Sequence, residues 1–217
     1  MDQTEFISAA PPQKLYKFRA IETEEDWCRL QSILLKHELY CPSPKKFNDP
    51  FDCRIPPVGT VNPGFARYLI CPDNPCRAAG ELSLIERSQL ENFLREVQSS
   101  IYETGVLSLA ATHISTLMWS HYARDHRGVA LEFDTIKWRD QMPCMNGQFH
   151  LVSYSQHRVK LMLTREHYDM AQLFNAAIPT KDLCWKNEEE WRVLRTKPAF
   201  LTFPVSFLTG LLFGLSP

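Results

Sequence analysis

Four groups of residues in this chain are of the types that do chemistry. In LYKFR, residues 15–19, Lys17 and Arg19 alternate with Tyr16 and Phe18. Two cations on one face of a strand could hold a phosphate or a carboxylate. In LMWSHYARDHRGVALEFD, residues 117–134, Ser120, His121 and Tyr122 can all take part in hydrogen bonding or proton transfer. His121 could shuttle a proton near neutral pH, and Tyr122 or Trp119 could stack on a flat ring. Near the C-terminus come Lys181, Trp185, Glu188, Glu189, Glu190, Trp191 and Arg192. Here Glu190 or Glu188 could orient a hydroxyl or act as a base. The fourth group is Asn48, Asp49 and Asp52 in the proline-rich run CPSPKKFNDPFDC. Each group also has a plainer reading. The cations could line a solvated strand face, Glu190 could pair with Arg192, His121 could be an ordinary helix residue, and Asn and Asp could cap their own loop.

These residues need elements to position them. The alternation of residues 15–19 predicts a strand with its aromatic pair buried and its cations at an edge or in a cleft. Thr23 is a suitable N-cap, followed by Glu24, Glu25 and Asp26 in a first turn, where carboxylates suit the helix dipole. Trp27, Leu30 and Leu34 then recur at helical spacing, predicting a helix over 24–36. A short strand over 39–41 follows. Prolines at 42, 44 and 50 forbid a helix in the next run, and Asn48-Asp49-Pro50 signals a turn. Phe47 and Phe51 are expected to anchor that loop in the body of the protein, holding Asn48, Asp49 and Asp52 in fixed positions.

Residues 54–80, with five prolines, read as irregular and variable. The stripe Leu90, Phe93, Leu94, Val97 and Ile101 predicts a helix over 81–102. Strands are expected over 106–110, 129–134 and 149–154, and again from Trp191. A short helix should carry residues 117–122. Residues 135–147 read as a loop, and 164–178 as a helix carrying His167 and Tyr168. The apolar stretch 199–215 reads as a strand, a turn and a second apolar piece, too short for a membrane span. The abrupt end after it suggests a chain cut from a longer protein. Residues 1–13 read as a flexible tail, and 14–217 as a single domain with a variable insertion near 56–104.

Composition narrows the choices further. With 217 residues, 44% hydrophobic and 23% charged, the chain can bury a real core. A net charge of -1 gives no global attraction to nucleic acid or to an anionic membrane. Seven cysteines, an odd number without a C-x-x-C pair, suggest free thiols in a reducing cytoplasm and no metal site. A basic-then-apolar leader is absent from the N-terminal residues. The sequence holds no phosphate-binding glycine loop, dinucleotide fingerprint, H-E-x-x-H, G-x-S-x-G or zinc-deaminase signature.

Taken together, LYKFR, CPSPKKFNDPFDC, GVLSLA before LMWSHYARDHRGVALEFD, and the late pattern of Lys181, Trp185, Glu188, Glu190, Trp191 and Arg192 resemble the bacterial domain-of-unknown-function 2971 family. The resemblance runs from about Leu15 to Gly214 and is least constrained over 56–100. The layout is also similar to that of compact ADP-ribosyltransferases, in particular DNA-modifying toxins. That similarity implies an NAD-consuming transferase, a toxin or phage-defence effector acting on nucleic acid or protein. In that reading Glu190, Tyr122 and His121 are catalytic, and Lys17, Arg19, Asn48, Asp49, Trp119 and Ser120 surround NAD. Position 17 is Lys where a histidine or arginine is usual, so Arg19 is left to supply a planar group. The alternatives are a non-catalytic module binding a nucleotide or nucleic acid in the same pocket, and a structural domain whose tryptophans are core. The fold expected is α+β: a mixed, bent sheet of short strands flanked by helices.

Overall fold

The computed structural model describes residues 10–55, 57–58, 61–70, 80–141, 149–156 and 177–215. Most of the helix expected over 164–178, including His167 and Tyr168, lies outside the described residues. The chain falls into two compact units. The first comprises Met1–Ser43, Thr104–Val152 and Cys184–Pro217, and the second Pro44–Glu103 and Ser153–Leu183.

The first unit is built on a six-stranded antiparallel sheet. Its strands are β1 (Lys14–Arg19), β3 (Gly105–Ala110), β4 (Val129–Asp134), β5 (Phe149–Leu151), β8 (Glu190–Arg195) and β10 (Leu208–Phe213). They run in the order β10-β4-β1-β3-β8-β5. A second pair, β2 (Glu38–Cys41) with β9 (Ala199–Thr202), is also antiparallel. The α+β class is the one expected. Parallel pairing, expected as part of a mixed sheet, occurs among the described residues only in the second unit, between β6 (Ser153–Ser155) and β7 (Thr180–Asp182).

Alternation along the strands divides the side chains between two faces. Leu15, Leu109, Leu131 and Trp191 face one way. They form a core with Leu30 and Ile33 of α1 (Glu24–Leu35) and with Leu39 and Leu201 of the small pair. Tyr16, Phe18, Ala110 and Ala130 face the other way and pack on Met118 and Trp119 of α4 (Thr116–Tyr122). Thr23 caps α1 through a reciprocal pair of bonds with Asp26.

β1 lies inside the sheet, between β4 and β3, which excludes the edge, one of the two places expected for its cations. Two expectations need correction. Residues 135–141 are helical, forming α5 (Thr135–Gln141), because the Asp134 carboxylate accepts the Ile136 and Lys137 amides as an N-cap. That helix seats Trp138 in the core against Phe133 and Phe207. The strand expected over 149–154 is broken at Val152, whose amide turns to the Glu190 carbonyl.

The second unit holds α2 (Pro63–Ile70) and α3 (Leu84–Glu103), which pack through Ala66, Leu90 and Leu94. α2 lies in the region expected to be irregular. Pro63 opens it at the first turn, where a missing N–H costs nothing. α3 begins with a Ser83–Glu86 capping box, and Glu86 also pairs with Arg67 at 2.9 Å. The Ser83 amide and that guanidinium hold the Glu86 carboxyl down at about 2. The proline-rich loop is anchored differently from expectation. Phe51 is exposed, whereas Asp49 and Asp52 are buried. Asp49 accepts the Phe51 amide, and Asp52 pairs with buried Lys181 at 3.7 Å.

Candidate functional site

In the first unit, α4 and the 3-10 helix Leu183–Glu188 enclose a pocket of about 190 Å³. Leu117, Met118, His121, Cys184, Trp185, Asn187 and Glu188 line it. Its walls follow from local sequence. Ser115 caps α4 by accepting the Met118 amide, and its own hydroxyl donates to the Asn187 carbonyl, joining the two helices. Helical spacing then turns Met118 and Trp119 into the core and leaves Leu117 and His121 exposed. His121 stands edge-on to both Tyr122 and Trp185, with centroids 6.3 and 6.1 Å away.

The polar floor of the pocket is Glu188. The Tyr122 hydroxyl donates to its Oε1 at 2.6 Å, a short charge-assisted bond. Glu188 is only 7% exposed, so this bond compensates a carboxylate largely removed from water. Glu189 sets its direction. Its backbone is left-handed at φ 45°, uncommon for a residue with a side chain, and its carbonyl accepts the Ala111 amide. This kink ends the 3-10 helix and starts β8 in one residue. Glu188 is left in the pocket and Glu190 becomes the first residue of the strand.

Glu190 and Arg192 occupy the α4 face of β8, two residues apart. The guanidinium donates to both carboxylate oxygens, at 2.8 and 3.0 Å. Both residues are buried. His150 lies across from Arg192 on β5, and burial lowers its pKa. Glu190 therefore sits beside the pocket floor in sequence but does not line the pocket.

The chain between α4 and β4 is strained. Arg124, Asp125 and His126 are three consecutive left-handed residues, with φ of 50°, 52° and 65°. Such residues cost about 1–2 kcal/mol each. The turn is held by amide bonds to the Ser120 and Trp119 carbonyls and by the His126 ring stacked on Trp119 at 6.0 Å. Gly128 follows because a Cβ there would lie 2.2 Å from the Arg19 carbonyl.

The expected site residues are thus distributed as follows. Tyr122 and His121 are at the pocket, Tyr122 through Glu188. Ser120 is half-buried on α4, its carbonyl taken by the Asp125 amide. Trp119 is a core residue. Its indole donates to the His113 carbonyl at 2.6 Å, and Phe18 meets it edge-on. Trp185 is the tryptophan that lines the pocket. Lys17 and Arg19 project onto the α1 face of the sheet, on the same side as Leu15. Asn48 and Asp49 belong to the second unit, with Asn48 exposed and Asp49 bonded within its own loop. Cys184 and Asn187 were not expected at a site. Their spacing around Trp185 and Glu188 on one helical turn is the signal that marks them.

Among the described residues, Cys28, Cys41, Cys53 and Cys184 form no disulfide. Among the described residues, no cluster of three His, Cys, Asp or Glu could hold a metal ion, and no helix is long and apolar enough to cross a membrane.

Fold and pocket together define an α+β protein with a small pocket floored by a carboxylate. A family model described as "Protein of unknown function (DUF2971)" matches residues 118–193, and this match supports the family to which the sequence blocks point. The matched stretch includes Tyr122, Trp185, Glu188 and Glu190. No curated protein and no solved structure matches the chain.

Proposed function

We propose that the α4 pocket is the reacting centre of an NAD-consuming ADP-ribosyl transfer, with Glu188 as its working carboxylate. The observation that carries this reading is the Tyr122–Glu188 hydrogen bond of 2.6 Å at the floor of the pocket. A pocket of about 190 Å³ has room for one ring such as nicotinamide, not for a whole dinucleotide. Leu117, Met118 and Trp185 offer that ring an apolar wall, and Asn187 offers its amide to a carboxamide. When bound, NAD would supply a positively charged nicotinamide that departs with the electron pair of the glycosidic bond.

Glu188 takes the proton from the acceptor oxygen or nitrogen that forms the new bond to the sugar carbon. Tyr122 holds the carboxylate in position through its hydroxyl. His121, exposed on the wall, carries the proton on to solvent. Glu190 is a positioning residue here: its pair with Arg192 fixes the start of β8 and with it the turn that presents Glu188. The acceptor would be nucleic acid or protein, as in a toxin or phage-defence effector.

The test is release of nicotinamide from NAD in the presence of DNA, RNA and protein acceptors. Turnover by the parent protein is the expected result. Binding of NAD without release under all three acceptors would favour the alternative, a non-catalytic nucleotide-binding module. Absence of both binding and release would remove the reading.

A further inference from the structure

We infer that Lys17 and Arg19 form a binding site for a phosphate group on the α1 face of the sheet, separate from the α4 pocket. The two side chains leave β1 on the same face, two residues apart. Between them they carry about eight N–H donors. The only hydrogen bond that either side chain makes among the described residues runs from the Lys17 ammonium to the Ser108 carbonyl, at 2.7 Å. That carbonyl is within reach because β1 meets β3 at Tyr16–Ala110, and no further pair joins the two strands. The Arg19 side chain makes no hydrogen bond or ion pair among the described residues, and its Nε is shut off from solvent without a partner.

Asp26, Glu188 and Glu190 act on these cations from nearby, but each of these carboxylates already accepts other donors. Asp26, the carboxylate near Arg19, already accepts from the Thr23 amide and hydroxyl and lies 3.9 Å from Arg29. Arg29 adds a further positive charge beside Arg19. On the other side, Glu190 accepts both guanidinium bonds of Arg192, and Glu188 accepts the Tyr122 hydroxyl. Two part-buried cations beside carboxylates that are already engaged leave N–H donors for an anion from outside the chain.

Phosphate suits the gap better than carboxylate. The planar fork of Arg19 matches two oxygens while Lys17 takes a third, and a dianion balances both charges. A net charge of -1 gives the chain no long-range pull on a polyanion, which favours a small phosphate ligand over a nucleic-acid backbone. Burial, reinforced by a neighbouring arginine in each case, lowers the pKa of both groups, Lys17 to about 7 and Arg19 to about 10.

Calorimetric titration of the full chain with inorganic phosphate, AMP and a short oligonucleotide tests this. Phosphate and AMP should both bind, and Arg19→Gln and Lys17→Met should each weaken binding roughly tenfold or more. Arg95→Gln, which removes an exposed charge from α3, should leave binding unchanged. Should Arg19→Gln fail to fold, Arg19→Lys keeps the charge but loses the fork, and it should lose the rise in melting temperature that phosphate gives the parent. The inference is overturned if neither phosphate nor AMP binds, if Arg95→Gln weakens binding as much as Arg19→Gln, or if the oligonucleotide alone binds. Nicotinamide release is a separate readout, so this site and the α4 pocket can fail independently.

Discussion

Lys17→Met should change how the first unit's stability depends on pH, in a direction fixed by the structure. Met keeps most of the lysine's apolar length and removes the charge. Burial, reinforced by Arg19, lowers the Lys17 pKa from 10.5 to about 7. Below about pH 7 the amine is protonated in both folded and unfolded chains, and its desolvation is a constant cost. Between about 7 and 10.5 only the unfolded chain keeps the proton, so this group makes stability rise with pH. The full lowering corresponds to a ceiling of about 5 kcal/mol, of which about 2 kcal/mol falls between pH 7 and pH 9. The window closes there because Cys41, pushed up from 9.0 to about 11 by burial, contributes with the opposite sign above it. All five tryptophans lie in the first unit, so urea unfolding followed by tryptophan fluorescence reports on that unit. Subtracting the variant's unfolding free energy from the parent's at each pH cancels the titrations that are not coupled to Lys17, and stopping at pH 9 avoids that of Cys41, which is coupled to it. The difference should climb by about 2 kcal/mol from pH 7 to pH 9. A flat difference would show that Lys17 titrates like an ordinary lysine, and the reasoning about its desolvation would be wrong.

Other substitutions probe other parts of the structure. Tyr122→Phe removes the hydroxyl bonded to Glu188 and should cost about 1–3 kcal/mol in urea unfolding, with nicotinamide release falling as well. Arg192→Met strips the guanidinium from buried Glu190 and should destabilise by about 3–5 kcal/mol, a loss that Arg192→Met with Glu190→Gln partly recovers. Gly128→Ala places a Cβ against the Arg19 carbonyl and should lower stability by about 1–3 kcal/mol or prevent folding, as read by circular dichroism. Asp134→Ala removes the cap of α5 and should cost about 1 kcal/mol in urea unfolding.

Much of the fold could be read from periodicity. The alternation of Leu15 to Arg19 and of Val129 to Asp134 gave two central strands, and the stripes of α1 and α3 gave their helices. The missed helices had their signals at the start. Asp134 looked like the end of a strand but is also a cap, and Pro63 looked like a breaker but sits where a helix tolerates proline. The interior place of β1 was not legible, because the choice between an edge and a cleft for its cations depends on the neighbouring strands. The site was half legible. Tyr122 and His121 stand out by type, and Glu188 and Glu190 are equal candidates on one sequence. Only the left-handed backbone at Glu189, invisible in composition, separates them by sending one to the pocket and the other into the strand. The helical phase of α4, set by its Ser115 cap, turns Trp119 into the core, whereas Trp185, on the 3-10 helix, lines the pocket.

The comparison of Glu188→Gln with Glu190→Gln in nicotinamide release tests the central claim most directly. With Glu188 as the working carboxylate, Glu188→Gln should lower turnover by about 10²–10⁴-fold while retaining the parent's fold by circular dichroism. Any loss in Glu190→Gln should track its loss of stability. Full turnover in Glu188→Gln, with turnover abolished in a stably folded Glu190→Gln, would contradict the account and move the chemistry from the pocket floor to the head of β8.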